Sequence, residues 1–79
     1  MENQYYEDMY VVGTNIHCFR AGEPALIIGF KIDLKRERFV YIIRFSDNVT
    51  DAIPLIELNT IYEVISFKDI IKGNIPKIK

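Results

Sequence analysis

The chain has 79 residues, of which 49% are hydrophobic and 27% are charged, and its formal net charge is −1. This length fits one small domain, residues 1–79, and the composition is that of a globular protein, which excludes a multidomain or disordered chain. The near-zero charge also argues against a dedicated nucleic-acid binder, because such proteins carry a basic excess.

The N-terminus and the cysteine content indicate where the protein works. Cys18 is the single cysteine, so no internal disulfide can form, which is typical of a reducing cytoplasm. The first ten residues, MENQYYEDMY, lack the basic start and apolar run of a secretory signal. No apolar run approaches the roughly 18 residues that a membrane span needs. We therefore expect a cytoplasmic protein that does not act at a membrane.

The first quarter of the chain predicts short extended segments joined by turns. Residues 1–9 are polar and acidic, and we expect a flexible N-terminus unless its tyrosines dock. Residues 10–12 form a predicted first strand, and residues 16–19 a second extended segment. Residues 21–24, Ala-Gly-Glu-Pro, predict a turn, because glycine frees the backbone and proline fixes it.

The middle of the chain predicts two longer strands around a charged loop. Residues 25–32 alternate as a half-buried strand does, and Gly29 within them predicts a bulge or a bend. The charged loop 33–38 stays in water and discourages edge-to-edge aggregation. Residues 39–45 form the strongest predicted strand. Its two faces are both apolar, with Phe39, Tyr41, Ile43 and Phe45 on one and Val40, Ile42 and Arg44 on the other.

The next segment predicts two further strands. Residues 46–48 form a turn, in which Asn48 can take a positive φ angle. Strands are predicted over residues 49–53 and 61–66. The intervening residues 55–60 are too few for a helix of normal length, so a single tight turn is expected there.

A short helix is predicted over residues 67–72. Ser66 precedes it as an N-cap whose side chain can accept the amide hydrogen three residues on, and Asp69 at that position can reach back. Gly73 follows as a C-terminal stop. The prediction is therefore a mainly β domain with one short C-terminal helix.

Three stretches carry a resemblance to a class of small barrels: FRAGEPA at 19–25, FVYIIRFSDN at 39–48, and DAIPL at 51–55 ahead of YEV at 62–64. Their order of short strands, mid-strand bend and tight turn resembles Src-homology and Tudor-like modules, and is similar to short barrel proteins of bacteria and phages. The resemblance covers about residues 10–66. It implies a mainly β fold: a small five-stranded Src-homology/Tudor-like barrel with the short C-terminal helix attached.

The ligands of those modules fit this chain less well. The chain has no tryptophan, which the polyproline groove of Src-homology modules normally uses. A Tudor-type cage would hold a methylated cation between aromatic rings. Tyr41, Phe45 and Tyr62 could supply such rings, but their strand positions favour packing in the core.

Catalytic and metal-binding chemistry is not expected. His17 and Cys18 are adjacent, and adjacent residues of a strand point to opposite faces. One histidine and one cysteine are too few for a zinc site, and no glycine-rich loop has phosphate-binding spacing. Asp47 and Asp51 could approach each other, although Asp47 is better suited to capping its own turn. We therefore expect no enzyme, no cofactor and no metal.

The first functional hypothesis is a protein-interaction module. Val40 and Ile42, with Ile27, would form an exposed apolar patch that binds a partner or a second copy. Lys35, Arg36, Arg38 and Arg44 would complete the partner-binding set. By analogy with the phage resemblance, the chain would be an inhibitor that occupies a host or defence protein. The alternative is that the N-terminal segment, through Tyr5, Tyr6 or Met9, or the C-terminal helix, through Ile70 and Ile71, covers this face.

The second hypothesis is a binder of single-stranded nucleic acid or RNA. Small barrels stack bases on aromatic rings within a basic groove. Five cations cluster in sequence with Phe39 and Tyr41 between them: Lys31, Lys35, Arg36, Arg38 and Arg44. Asp33 and Glu37 interrupt this cluster, which favours the protein partner.

Overall fold

The structure, a computed structural model, describes residues 5–79; residues 1–4 of the predicted flexible N-terminus lie outside the described residues. The predicted mainly β fold is confirmed. The elements in chain order are β1 (Tyr10–Gly13), β2 (Pro24–Asp33), β3 (Arg38–Phe45), β4 (Thr50–Pro54), α1 (Leu55–Ile61), β5 (Tyr62–Ile65) and α2 (Phe67–Lys72).

The five strands form one antiparallel sheet in the order β4-β3-β2-β1-β5. Three hairpin-type neighbours account for the order from β4 to β1, and β5 returns to pair with the other side of β1. Within residues 5–79, no strand pairing joins β4 to β5, so the sheet is not closed into a barrel. Each end of the sheet is therefore an edge strand.

The register shift that Gly29 predicted is present in β2. Ile27 pairs with Ile43 and Gly29 pairs with Ile42, so Ile28 is the extra residue. A Cβ atom added at Gly29 would lie 4.0 Å from the Ile42 side chain, which is an ordinary contact. The bulge is therefore carried by the inserted Ile28, and the space around Gly29 does not require glycine.

The hydrophobic core lies between one face of the sheet and α1. We call this side of the sheet the inner face. Its fully buried members include Val11 of β1, Ile27 of β2, Ile43 of β3 and Leu58 of α1. Burial of each such aliphatic side chain contributes about 1.5 to 3 kcal/mol. Because every strand is only four to ten residues long, these few side chains account for much of the stability.

The N-terminal segment is attached to this core. The Tyr5 side chain is buried, and its hydroxyl donates to Asn59 Oδ1 at 2.8 Å and to the Leu58 carbonyl at 3.2 Å. Asp8 N–H donates to the Ile27 carbonyl at 2.9 Å. The docking of a tyrosine, which was the stated exception to a flexible N-terminus, therefore occurs at Tyr5.

Two local predictions are wrong. The segment 16–19 is not extended, because the Asn15 carbonyl and side chain accept hydrogen bonds from Cys18 N–H and His17 N–H, both at 2.9 Å, which folds it into turns. The predicted tight turn after β4 is instead the seven-residue helix α1. Leu58 of this helix points into the core, and this packing stabilises the helix despite its short length.

The local signals around α2 and the β3–β4 turn correspond to observed geometry. Ser66 Oγ accepts a hydrogen bond from Asp69 N–H at 3.1 Å at the start of α2. Gly73 ends that helix with a φ of 77°. Asn48 has a φ of 71° in the turn between β3 and β4. Each signal acts within four residues of itself, which is why the sequence reveals it.

Because the Tyr62 hydroxyl is buried, the stability of the fold should fall at alkaline pH. Burial raises the pKa of its hydroxyl well above its usual value of about 10. The neutral hydroxyl is therefore preferred in the fold, while the unfolded chain ionises from about pH 10. The stability contribution is complete below that pH and is lost as the pH rises through the folded-state pKa.

We expect the free energy of unfolding to fall by up to about 1.4 kcal/mol per pH unit above pH 10 through this group. Urea denaturation at pH 8 and pH 11 measures the fall. Tyr62→Phe, which cannot ionise, should lose correspondingly less between the two pH values. An equal loss in the wild type and the variant would show that other groups control the alkaline limit.

Candidate interaction surface

Lys35 and Arg36 lie in the turn of the hairpin between β2 and β3, and Arg38 begins β3. Asp33, at the other end of this turn, accepts a hydrogen bond from Arg36 N–H at 3.3 Å. Its Oδ2 also lies 3.8 Å from Arg38 Nε. The charged loop is therefore an ordered hairpin turn organised by one carboxylate, with exposed cations at its end.

The expectation of an exposed patch formed by Val40, Ile42 and Ile27 is wrong. Val40 is 4% exposed and Ile27 is 1% exposed, and only Ile42 is half-buried. Ile27 faces the core, whereas Val40 lies on the opposite, outer face of the sheet, where it pairs with Lys31 and Pro54. Side chains of the hairpin surround Val40 in a hollow lined by Lys31, Leu34, Arg36, Arg38 and Ala52, among others.

The C-terminal helix lies against another part of the outer face, next to Tyr10 and Leu26, whereas the alternative placed it over Val40, Ile42 and Ile27. Phe67 and Ile70 of α2 line a cleft together with Tyr10, Leu26 and Arg44. The Tyr10 and Phe67 ring centroids are 5.7 Å apart. The ring contact is made by Phe67, whereas the sequence pointed to Ile70 and Ile71; Phe67 and Ile71 are both more than half exposed. Arg44 is exposed beside this cleft, well away from the hairpin turn in sequence.

An exposed apolar surface lies instead on the inner face, beyond the core. Phe30 and Phe39 stack with ring centroids 5.2 Å apart and an interplanar angle of 22°. Phe30 also contacts Tyr41, at 4.9 Å between centroids. Ile32 pairs with Phe39 across the two strands and so shares their face. Phe30, Ile32 and Phe39 are 53%, 54% and 47% exposed.

Helix α1 extends this surface on one side. A hollow is lined by Phe39, Pro54, Leu55 and Ile56, with Arg38 and Asn59 at its polar margin. Ile56 is strongly exposed, unlike Leu58 two residues further on. We name the exposed set Phe30, Ile32, Phe39 and Ile56 the aromatic patch.

The aromatic patch is uncovered because the strands flanking the hairpin are short. β1 pairs only with residues 24–26 of β2. On the other side, β4 ends at Pro54, opposite Val40, so no strand of residues 5–79 lies beside Phe39 on that side. The hairpin therefore continues past its neighbours, in a molecule 39 Å long and about 25 Å wide.

The end of the hairpin carries positive charge. Over residues 31–38 there are four cations (Lys31, Lys35, Arg36 and Arg38) and two carboxylates (Asp33 and Glu37), a net charge of +2. The whole chain has a net charge of −1, so the rest of it carries −3. The aromatic patch thus has a cationic border on an otherwise acidic protein.

The remaining candidate rings belong to the core. Phe45 and Tyr62 are buried and Tyr41 is half-buried, so they do not form an open cage. Arg20 lies over the Phe45 ring, at 4.6 Å from its centroid, which adds a cation–π contact to that packing.

Arg20 also forms an ion-pair cluster that the sequence did not reveal. Its guanidinium pairs with Glu23 and, at 2.9 Å, with Asp47. The hydrogen bond from Arg20 holds the pKa of the Asp47 carboxyl below its usual range. Asp47 also caps its turn weakly, accepting from Val49 N–H at 3.4 Å. Arg20 and Asp47 are 27 residues apart, so no local pattern connects them.

The side chains considered for catalysis or metal binding do not form a cluster in the described residues. His17 is exposed, whereas the Cys18 thiol is buried and donates to the Ile61 carbonyl at 3.5 Å. Across residues 5–79, no three His, Cys, Asp or Glu side chains come together as metal ligands would. No helix within residues 5–79 is long enough and apolar enough to cross a membrane.

Comparisons with protein-family models, with curated proteins and with solved structures give no significant match to this chain.

Proposed function

We propose that this chain is a small non-enzymatic protein-interaction module whose binding surface is the aromatic patch. The observation that carries the proposal is the stacked, half-exposed pair Phe30 and Phe39. The pair lies where the β2–β3 hairpin extends beyond its neighbouring strands β1 and β4. Contiguous exposed apolar surface of this kind marks sites of association. Lys35, Arg36 and Arg38 form the border of the site and guide the approach of the partner.

The energetics of the patch suit a partner protein. Aromatic side chains on a rigid strand lose little conformational entropy on binding, and they are typical of interface residues that dominate affinity. Phe39 stacks on Phe30, Phe30 contacts Tyr41 at 4.9 Å between ring centroids, and Tyr41 contacts the buried Tyr5 at 5.6 Å. The exposed rings therefore rest on packed rings, which holds them in position before a partner arrives.

The finer identity is part of the same proposal. We infer a relative of the Src-homology/Tudor-like barrels, of bacterial or phage type, acting in the cytoplasm as an inhibitor that covers a surface of a host or defence protein. The strand order and the position of α1 between β4 and β5 support this inference. Inhibition by occupation needs only a rigid surface, which a domain of this size can provide.

Phe39→Ser tests the proposal. We expect captured partner protein to fall at least roughly tenfold, because loss of a central aromatic anchor raises the off-rate. Wild type and variant are immobilised and challenged with bacterial lysate, and captured proteins are quantified by mass spectrometry. Val64→Ser is the matched control, since Val64 is equally exposed but lies on β5. Equal capture by Phe39→Ser and the control would rule the patch out as the binding surface.

The same surface supports a second candidate function, binding of single-stranded nucleic acid or RNA. Exposed rings beside Lys35 and Arg36 are the arrangement on which bases stack. Binding of a fluorescent single strand would then weaken with salt, with a log–log slope of about −0.7 per neutralised phosphate. Submicromolar binding at physiological salt that is lost in Phe39→Ser would replace the protein partner with a nucleic acid.

A further inference from the structure

The second half of β2 has a free edge. β1 pairs with residues 24–26, and main-chain bonds from Asp8 and to Met9 continue the pairing as far as Ile27. Beyond the bulge, residues 29–33 pair with β3 on one side, and no strand of the described chain lies on the other. Such an edge is a template on which a further strand can form.

The direction of the Ile27 main-chain groups determines which residue pairs of the β2–β3 hairpin are hydrogen-bonded to each other. Ile27 N–H donates to the Met9 carbonyl at 2.8 Å, and its own carbonyl accepts from Asp8 N–H at 2.9 Å. Both main-chain groups therefore point away from β3, so Ile27 and its partner Ile43 are a non-hydrogen-bonded pair. Along β3, hydrogen-bonded and non-hydrogen-bonded pairs alternate from this point.

This alternation turns two residues of β2 toward the free edge. Counting along β3 from Ile43, Tyr41 and Phe39 are again in non-hydrogen-bonded pairs, and their partners are Phe30 and Ile32. The N–H and C=O groups of Phe30 and Ile32 therefore face outward. A strand laid along this edge would form up to four main-chain hydrogen bonds with them.

Side chains on the two faces of this edge set what an added strand must look like. Phe30 and Ile32 lie on the inner face in the aromatic patch, while Lys31 lies on the outer face beside Val40. In an added strand, alternate residues would contact these two faces in turn. The residues next to the patch are best apolar. Those next to Lys31 and the cationic hairpin turn are best acidic.

A second copy of this chain fits the edge poorly. Antiparallel pairing of two β2 edges over residues 29–33 would centre on Lys31 and place the two Lys31 side chains directly opposite each other. Like charges in that position destabilise strand pairing.

We propose that residues 29–33 of β2 accept an extended segment of a partner protein, in which apolar and acidic residues alternate, as an added antiparallel strand. This proposal rests on the proposed function, since it names the partner segment that the aromatic patch recognises. The main-chain bonds supply affinity, and the two faces of the edge supply specificity.

The test uses a library of random ten-residue peptides displayed on phage and selected on the immobilised full chain. We expect enriched sequences with apolar and acidic residues at every second position. A synthetic peptide of the enriched sequence should protect the Phe30 and Ile32 amides from hydrogen exchange. Ile32→Pro removes one outward N–H without removing a bond to β3. It should weaken the peptide at least tenfold, and by more than Ile32→Val, which keeps that N–H. Lys31→Glu should weaken it several-fold, and Lys77→Glu, a charge-matched change in the tail, should not.

Each other outcome overturns the proposal in a recognisable way. Peptides that lose binding in Phe39→Ser but leave both amides unprotected would preserve the interaction module and reject strand addition. If the peptides bound Phe39→Ser as tightly as wild type, the aromatic patch would also be rejected as the binding surface. A chain that dimerises in sedimentation, with loss of the dimer in Ile32→Pro, would make a second copy the occupant. Preferred binding of a fluorescent twelve-nucleotide single strand would make it a nucleic acid.

Discussion

Gly13→Ala should lower the free energy of unfolding by about 1 to 3 kcal/mol, because it overpacks a closed part of the core. A Cβ atom at this position would lie 2.7 Å from Cys18 Cβ and 2.9 Å from Cys18 Sγ. It would also lie 3.4 Å from the Tyr62 ring. Gly13 is buried and pairs with Tyr62 of β5, so the strand cannot move outward without breaking that pairing.

The measurement is urea or thermal unfolding of Gly13→Ala beside Gly29→Ala. Gly29 has ordinary contact distances to Ile42, and alanine restricts the unfolded chain more than glycine does, so that variant should be neutral or slightly stabilising. For a domain of this size, 1 kcal/mol shifts the melting temperature by about 4 to 8 °C. Combining Gly13→Ala with Cys18→Gly should cost less than the sum of the two single changes. A loss near zero in Gly13→Ala, as expected for Gly29→Ala, would show that the Gly13 site can relax.

Local rules account for the parts of this fold that the sequence predicts. The run of aromatic and β-branched residues over 39–45 predicts β3, because such residues favour an extended strand in most surroundings. Ser66, Gly73 and Asn48 predict their caps and turn for the same reason, because each acts on its nearest neighbours. These signals involve backbone geometry over a few residues, which a single sequence contains in full.

Which face is buried depends on how long the neighbouring strands are, and the sequence does not state this. Phe30 and Phe39 lie on the same face as the buried Ile43, yet they extend past the ends of β1 and β4 and remain exposed. Val40 reads as exposed because it lies on the other face, yet the hairpin side chains cover it. The inserted Ile28 also changes which residues of β2 accompany the core, so simple alternation fails beyond it.

Helix α1 is another element that the local sequence does not predict. Its sequence, LIELNTI, has no side-chain cap at Pro54 and is short for an independent helix. Tertiary packing of Leu58 and the hydrogen bonds from Tyr5 stabilise it, and Tyr5 lies more than 50 residues away in the chain. The ion pair of Arg20 with Asp47 is equally non-local. In both cases, a partner distant in sequence decides the structure.

Leu58→Ala should therefore be the most costly single change in α1. Leu58 is 0% exposed and packs in the core cluster, and truncation of such a leucine costs about 2 to 5 kcal/mol. A domain of this size has a total stability of only about 4 to 12 kcal/mol, so the change removes a substantial share of it. Chemical denaturation followed by circular dichroism measures the change. Loss of the α1 signal should coincide with loss of the sheet.

Ile56→Ala is the control on the same helix. Like Leu58→Ala it introduces the better helix former alanine, but in place of an exposed side chain, and we expect the free energy of unfolding to stay within about 0.5 kcal/mol of wild type. Its effect should fall on binding, because Ile56 shares the hollow with Phe39 in the aromatic patch. If Ile56→Ala destabilised the fold as much as Leu58→Ala, Ile56 would belong to the core, and the patch would end at the hairpin. If instead it weakened the selected peptide at unchanged stability, one helix would stabilise the core through Leu58 and contact the partner through Ile56.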